Sequence, residues 1–215
     1  MPPPELRPAL AGGLQALGLP LDSAAVDRLL AYLDLLERWN RVHNLTAVRD
    51  PAQGLTQHLL DSLAVVGPLQ RERPTPGRLL DVGSGAGLPG IVVAIALPAW
   101  RVCCVDAVAK KVRFVQQVAA ELGLANVSPE HGRVEAPSSA APFDVITSRA
   151  FASLADFIAL SERRLADGGV WMAMKGRRPD DEIAALPAGV SAAVESLQVP
   201  GLAAERCLVW LRRSA

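Results

Sequence analysis

Leu79-Leu80-Asp81-Val82-Gly83-Ser84-Gly85-Ala86-Gly87-Leu88-Pro89-Gly90 is the stretch that decides the fold. An apolar run with an acid near its end reads as a buried strand from Arg78 to Val82. The glycines that follow read as a tight turn, and Pro89 as the first residue of an apolar helix reaching Leu97. Open α/β sheets hold their ligands at turns of this kind, beyond the carboxyl ends of the strands. Glycine there lets the backbone turn sharply and come close to a ligand.

Downstream of this unit the same alternation repeats. Arg101 to Val105 reads as a second strand and Val108 to Leu122 as a helix, with Val112, Val115, Val118, Ala119 and Leu122 facing inward. A third strand is expected within Asn126 to Val134 and a fourth at Phe143 to Ser148, followed by a helix from Ser153 to Ala166. Gly169 to Lys175 reads as a fifth strand and Asp180 to Leu186 as a short helix. Strands alternating with helices predict an α/β protein with a mostly parallel sheet covered on both faces. Val190 to Val199 and Glu205 to Arg212 then follow with no helix between them, which predicts a hairpin and an antiparallel strand at the sheet edge.

Upstream the pattern is helical. Leu10, Leu14 and Leu17 suggest a short helix; Val26, Leu29, Leu30, Leu33, Leu36 and Trp39 recur at three-and-four spacing behind an N-cap at Asp22 or Ser23. Thr56 to Val66 reads as one more amphipathic helix, and the polar, proline-containing Gln70 to Gly77 as a linker. The division that follows is a helical N-terminal extension over 1–77 and a ligand-binding domain over 78–215.

The chain has 215 residues, of which 50% are hydrophobic and 20% charged, enough apolar material for a sizeable core and too much for intrinsic disorder. The longest apolar stretch, Ile91 to Ala99, is interrupted by Pro98 and falls well short of the ~20 residues of a membrane span. The opening Met-Pro-Pro-Pro-Glu lacks the basic start and apolar run of a secretory signal. Cys103, Cys104 and Cys207 are an odd number and make no disulfide framework, which fits a reducing compartment. A cytoplasmic protein is expected. With 22 basic and 22 acidic residues the net charge is zero, which argues against a globally basic nucleic-acid coat protein but leaves room for a local basic face.

Two ligands suit the glycine turn. A dinucleotide needs Gly-x-Gly-x-x-Gly directly after the strand; counted from Gly83 the third glycine falls on Leu88, and counted from Gly85 the pattern starts late and encloses Pro89. S-adenosylmethionine carries no pyrophosphate, and its amino-acid end is a zwitterion. The Asp-x-Gly-x-Gly-x-Gly form fits it better, with Asp81 toward the ammonium side. Asp106, 25 residues after Asp81 and at the end of the second strand, is placed to accept hydrogen bonds from both ribose hydroxyls.

The residues from Asp81 to Gly90 resemble the cofactor loop of the bacterial RsmG (GidB) methyltransferases. Trp39-Asn40-Arg41-Val42-His43-Asn44-Leu45-Thr46 and His58-Leu59-Leu60-Asp61-Ser62-Leu63 are similar to that family's N-terminal signatures. Val105-Asp106, Lys110-Lys111 with Phe114, Arg133-Val134-Glu135 and Phe143-Asp144-Val145-Ile146-Thr147-Ser148-Arg149-Ala150 are similar to later ones, in order, from about residue 25 to Gly176. The resemblance implies a Rossmann-like seven-stranded class I methyltransferase sheet, mostly parallel with an antiparallel edge strand. It also implies S-adenosylmethionine as donor and methylation of N7 of one guanine in 16S rRNA, at the position usually numbered 527 near the decoding site. In that family's pattern Gly83 and Leu88 lie against the cofactor, Asp106 reaches the ribose, Val134 and Glu135 flank the adenine, and Arg149 stands at the mouth of the site. Ala107 departs from it, standing where relatives often carry a serine.

Guanine N7 has a free lone pair and no proton to lose, so methyl transfer to it needs alignment and no general base. No catalytic acid or base is therefore nominated. Candidate contacts to 16S rRNA or the small ribosomal subunit are Arg38, Arg41, His43, Arg49 and His58 in the extension, and Arg149, Lys175, Arg177 and Arg178 near strand ends. Arg149 and Lys175 stand out because they close strands on the ligand edge. The residues of the extension read more readily as solvated surface charges. Asn40 and Asn44 suit backbone turns, Trp39 the core, and Cys103 and Cys104 opposite faces of a buried strand. Three histidines without metal spacing give no expectation of a metal. The chain is expected to act as a monomer. Other readings are a methyltransferase of the same fold acting on a small molecule or protein, an NAD(P)-linked oxidoreductase, and a ribosome-assembly factor that uses the pocket only structurally.

Overall fold

The structure, a computed structural model, describes residues 3–136 and 141–214. Seven strands form one sheet: β1 (Arg78–Val82), β2 (Arg101–Asp106), β3 (Val127–His131), β4 (Phe143–Arg149), β5 (Leu165–Lys175), β6 (Val190–Leu197) and β7 (Arg206–Arg213). Their spatial order is β3-β2-β1-β4-β5-β7-β6. The first five run parallel, and β7 pairs antiparallel with both β5 and β6. The expected hairpin is present, with the last strand one place in from the edge and β6 outermost.

The strands alternate faces as the period of two requires. Leu79, Cys104 and Met172 face one core, and Leu80, Cys103 and Trp171 the other. On the first face lie α6 (Gly90–Ala96), α7 (Ala109–Glu121) and the whole helical extension. On the second lies α8 (Leu154–Ser161), begun by Ser153, whose hydroxyl accepts from the Asp156 N–H at 3.1 Å. The extension contributes α1 (Leu6–Ala16) and α2 (Ser23–His43), then α3 (Pro51–Gly54), a π turn (Leu55–Leu60), α4 (Asp61–Leu63) and α5 (Val66–Glu72). Leu29, Leu33, Leu36, Leu59 and Leu63 share one continuous core with the sheet face, so apolar packing runs unbroken across residue 77.

Polar caps set the helix bounds. Asp22 accepts from the Ala25 N–H at 2.7 Å to start α2, and Asn44 at φ 49° ends it. Asp50 accepts from Gln53 N–H ahead of Pro51, the position proline tolerates best. Several expectations need correction. Thr56 to Val66 is not one regular helix but a π turn joined to short α segments, and Gln70 opens no linker because α5 continues to Glu72. The helix after β4 stops at Ser161 and passes through a 3-10 turn into β5, which starts at Leu165 rather than Gly169. Pro89 precedes α6 instead of opening it, following a cis Leu88–Pro89 bond, and the Asp81 carboxylate receives the first helical N–H, that of Gly90. Among the described residues no helix is long and apolar enough to cross a membrane.

Candidate functional site

The turn after β1 is held from three sides. Gly83 and Gly85 sit at φ +63° and +59°, a conformation costly for any residue with a Cβ. The Ser84 N–H donates to Val105 O of β2 at 3.1 Å. From the extension, the buried Tyr32 hydroxyl donates to Ala86 O at 2.8 Å, and burial pushes its phenol well above the ordinary range. At Gly85 an added Cβ would meet nothing nearer than Gly83 O at 3.9 Å. The open side of the turn is backbone facing free space.

Both expected acids tighten this turn. Asp106 is buried; its Oδ2 accepts from the Gly85 N–H at 2.9 Å and its Oδ1 from the Val108 N–H at 2.8 Å, with Lys111 Nζ at 3.6 Å. Each oxygen has a second lone pair to offer. Asp81 lies beneath the turn and is not on the cleft wall. Its Oδ2 accepts from the Gly90 N–H at 2.8 Å, while its buried Oδ1 has no protein partner among the described residues. Burial pushes its carboxyl up to about 7, against the opposing pull of the Gly90 N–H and Arg149.

The predicted residues fall along one sheet edge. Val134 is buried just beyond β3, among Val82 and Val105, and Glu135 beside it is exposed with Arg133 at 3.7 Å. Gly132 N–H donates to Asp106 O, which draws the end of β3 toward the glycine turn. Strand order then sets Val134, Glu135 and Asp106 on one side of Gly83 and Gly85, and Arg149 on the other.

On the Arg149 side a cleft of about 490 Å³ opens between the turn and the extension. Gly83, Gly85 and Leu88 line its sheet wall; Thr46, Gln57, His58 and Asp61 line the other, with Arg149, Lys175 and Arg206 between them. Arg149 Nη1 donates to Gln57 O at 2.9 Å and to Asp61 Oδ2 at 3.1 Å. Asp61 Oδ1 accepts from Arg206 Nε at 2.8 Å. Lys175 Nζ is held by Glu182 at 2.8 Å and Ala152 O at 3.1 Å.

His58 Nε2 lies 2.9 Å from Thr46 Oγ1, and burial together with Arg149 lowers its imidazole to about 4. It is uncharged at neutral pH. Asn40 holds the chain that carries Thr46, accepting from Thr46 N–H at 2.8 Å and donating to Val48 O at 3.0 Å, the turn-fixing role expected of it.

The other candidate cations stay outside the cleft. Arg38 pairs with Asp34 at 3.2 Å and Arg178 with Asp180 at 2.6 Å; Arg41, Arg49 and Arg177 are exposed. His43 packs on Trp39, ring centroids 4.9 Å apart. Among the described residues no group of three His, Cys, Asp or Glu side chains is placed to hold a metal. Cys103 and Cys104 are buried, and their thiols are pushed up, Cys103 to about 11.

Sequence reasoning gave no role to Tyr32, Asp61, Phe151 or Arg206. Phe151 follows Ala150, a non-glycine at φ 53°, and stands over Gly83 so closely that a Cβ there would meet its ring at 2.6 Å. The one signal available was Asp61, an acid inside the apolar run Leu59-Leu60-Asp61-Ser62-Leu63. Tyr32 and Arg206 act through contacts 54 and 145 residues away in sequence, beyond the reach of any local pattern.

Solved structures similar in fold include methyltransferases, at low identity. TrmN from Thermus thermophilus aligns with a TM-score of 0.57 and 20% identity over 74% of this chain and 53% of its own. The glycopeptide N-methyltransferase MtfA aligns with a TM-score of 0.60 and 12% identity over 72% and 97%. At this distance they speak for the fold alone. Sequence relatives are much nearer. The ribosomal RNA small subunit methyltransferase G of Methylibium petroleiphilum is 59% identical over 97% of this chain and 95% of its own length. That of Acidovorax ebreus is 58% identical over 96% and 95%. The model of the GidB family, rRNA small subunit methyltransferase G, matches residues 25–209, and the chain belongs to that family.

Proposed function

We propose that the protein transfers a methyl group from S-adenosylmethionine to N7 of a single guanine of 16S rRNA, the position usually numbered 527, acting as a monomer in the cytoplasm. The observation that carries this reading is the joining of two unlike surfaces in one cleft: an open glycine turn next to a wall bearing two arginines. The turn fits the donor. Gly85 leaves space for close approach, and Asp106 keeps lone pairs for two ribose hydroxyls.

When bound, S-adenosylmethionine supplies a methyl group on a positively charged sulfur. Gly83, Gly85 and Leu88 would lie against it, Asp106 would hold the ribose, Val134 and Glu135 would flank the adenine, and Arg149 would stand at the mouth. Asp81 would act from beneath by fixing the start of α6. The chain's part in the reaction is alignment, worth several kcal/mol of barrier when the reacting atoms are held in line. His58, neutral and engaged by Thr46, supplies no proton and is asked for none. An arginine reading guanine through both O6 and N7 is excluded, because N7 must stay open to the methyl group.

Incubation with labelled S-adenosylmethionine and small subunits lacking the modification tests this reading. Label is expected in 16S rRNA. Donor binding followed by label in protein or a small molecule would favour the same fold with another substrate. Binding of donor and RNA without turnover would favour an assembly factor.

A further inference from the structure

We propose that Asp61 is a positioning residue that sets two arginines for two different ligands, Arg149 for the methyl donor and Arg206 for the RNA backbone. The proposal rests on the function proposed above.

Asp61 is 2% exposed and spends one carboxylate oxygen on each guanidinium: Oδ2 on Arg149 Nη1, Oδ1 on Arg206 Nε. The two arginines come from different strands. Arg149 ends β4, one residue beyond Ser148, which pairs with Val82, and so stands beside the glycine turn. Arg206 begins β7, which lies beyond β5. Two strand spacings separate β4 from β7, roughly 10 Å across the sheet edge. One wall residue of the extension thus ties an arginine beside the glycine turn to one that starts two strands away.

Both arginines retain unspent donors. Arg149 uses Nη1 for Gln57 O and Asp61; Arg206 uses Nε for Asp61 and Nη1 for Glu205 O. Nη2 of each has no protein partner among the described residues, and neither atom is buried. A guanidinium anchored along one edge and open on the other is oriented for an anion. Two arginines against one carboxylate leave one positive charge in excess, which suits a phosphodiester. Lys175, tied to Glu182, adds none.

Charge and position give opposite signs when Asp61 is changed, which makes the test decisive. Asp61→Asn adds one net positive charge to the cleft. If the arginines served only as charge, small subunits would bind more tightly and with a steeper salt dependence. If Asp61 positions them, its amide sets an N–H against one guanidinium and leaves the other only a neutral oxygen in place of a carboxylate, so both arginines lose their ionised anchor and both ligands should bind up to about tenfold more weakly.

Donor affinity by calorimetry and small-subunit affinity by filter binding are measured for the unchanged protein, Asp61→Asn, Arg206→Lys and the double variant. Arg206→Lys keeps the charge and loses the fork; it should weaken subunit binding several-fold and leave donor affinity alone. In that background Asp61→Asn should no longer change subunit binding. Subunit binding by Asp61→Asn equal to or tighter than the unchanged protein's, or fully additive effects in the double variant, would overturn the proposal and leave Asp61 as a tie between extension and sheet. Should Asp61→Asn fail to fold, unaltered subunit binding by Arg206→Lys overturns it equally. Failure of the unchanged protein to bind donor would instead remove the function on which the proposal rests.

Discussion

Where the cleft meets the sheet its wall is backbone, and where it meets the extension its wall is side chain. The sheet wall is a turn fixed by buried groups: Asp106 on the Gly85 N–H, Asp81 on the Gly90 N–H and Tyr32 on Ala86 O. The opposite wall is a string of polar side chains, Thr46 to His58 and Arg149 to Asp61 to Arg206, each anchored at one end. Fixed backbone suits a small ligand of constant shape. Anchored cations with free ends suit a polyanion whose phosphates need charge and direction. Perturbing the first wall should therefore change donor binding alone, and perturbing the second, through the Asp61 link between Arg149 and Arg206, should also change how the protein answers to RNA and salt.

The largest effect expected is at Gly85. Gly85→Val would set a branched side chain at φ +59° and into the open side of the turn, and donor binding should disappear in calorimetry. Next, Asp106→Ala removes the acceptor for Gly85 and Val108 N–H and for the ribose. Donor affinity should fall by about 1–3 kcal/mol, roughly five- to 150-fold. Tyr32→Phe leaves Ala86 O without its buried donor; about 1 kcal/mol of stability should be lost in denaturant unfolding, with donor affinity weakened only a few-fold.

Salt sharpens the contrast between the walls. Affinity for the small subunit should drop steeply and linearly in log salt, while donor affinity should barely move.

A pH slope tests the group beneath the turn. Because the folded protein holds Asp81's proton up to about pH 7 and the unfolded chain releases it near 4, stability from this group is full below about pH 4 and is lost as pH rises to 7. Asp81→Asn keeps an oxygen for the Gly90 N–H and removes the titration, so its advantage over the unchanged protein should grow between about pH 5 and pH 8. His58 pulls the other way. Its proton is disfavoured by folding, so its contribution is full above about 6.5 and is lost as pH falls toward 4. An Asp81→Asn advantage that does not change with pH would show the carboxylate to be ionised throughout.

The backbone wall was legible in the sequence and the side-chain wall largely was not. A strand, a glycine turn, a helix and an acid 25 residues on are local patterns, and the structure brings Gly83, Gly85 and Asp106 together as those patterns require. Arg149 and Lys175 were legible because strand ends are legible. Asp61 stood in a run read as an ordinary amphipathic helix, and the π turn before it follows no simple spacing. Arg206 enters only because an antiparallel strand inserts beside β5, a consequence of topology. Pro89 obeyed a cis geometry that its residue type permits and no neighbour announces.

The most direct test of the account maps the methylated nucleotide. Unmethylated small subunits are treated with the protein and S-adenosylmethionine, and the 16S rRNA is cleaved chemically at N7-methylguanine. One new cleavage, in the loop near the decoding site, is the result the account predicts. Donor bound in the cleft with no cleavage of the RNA, or cleavage scattered over many guanines, would contradict it.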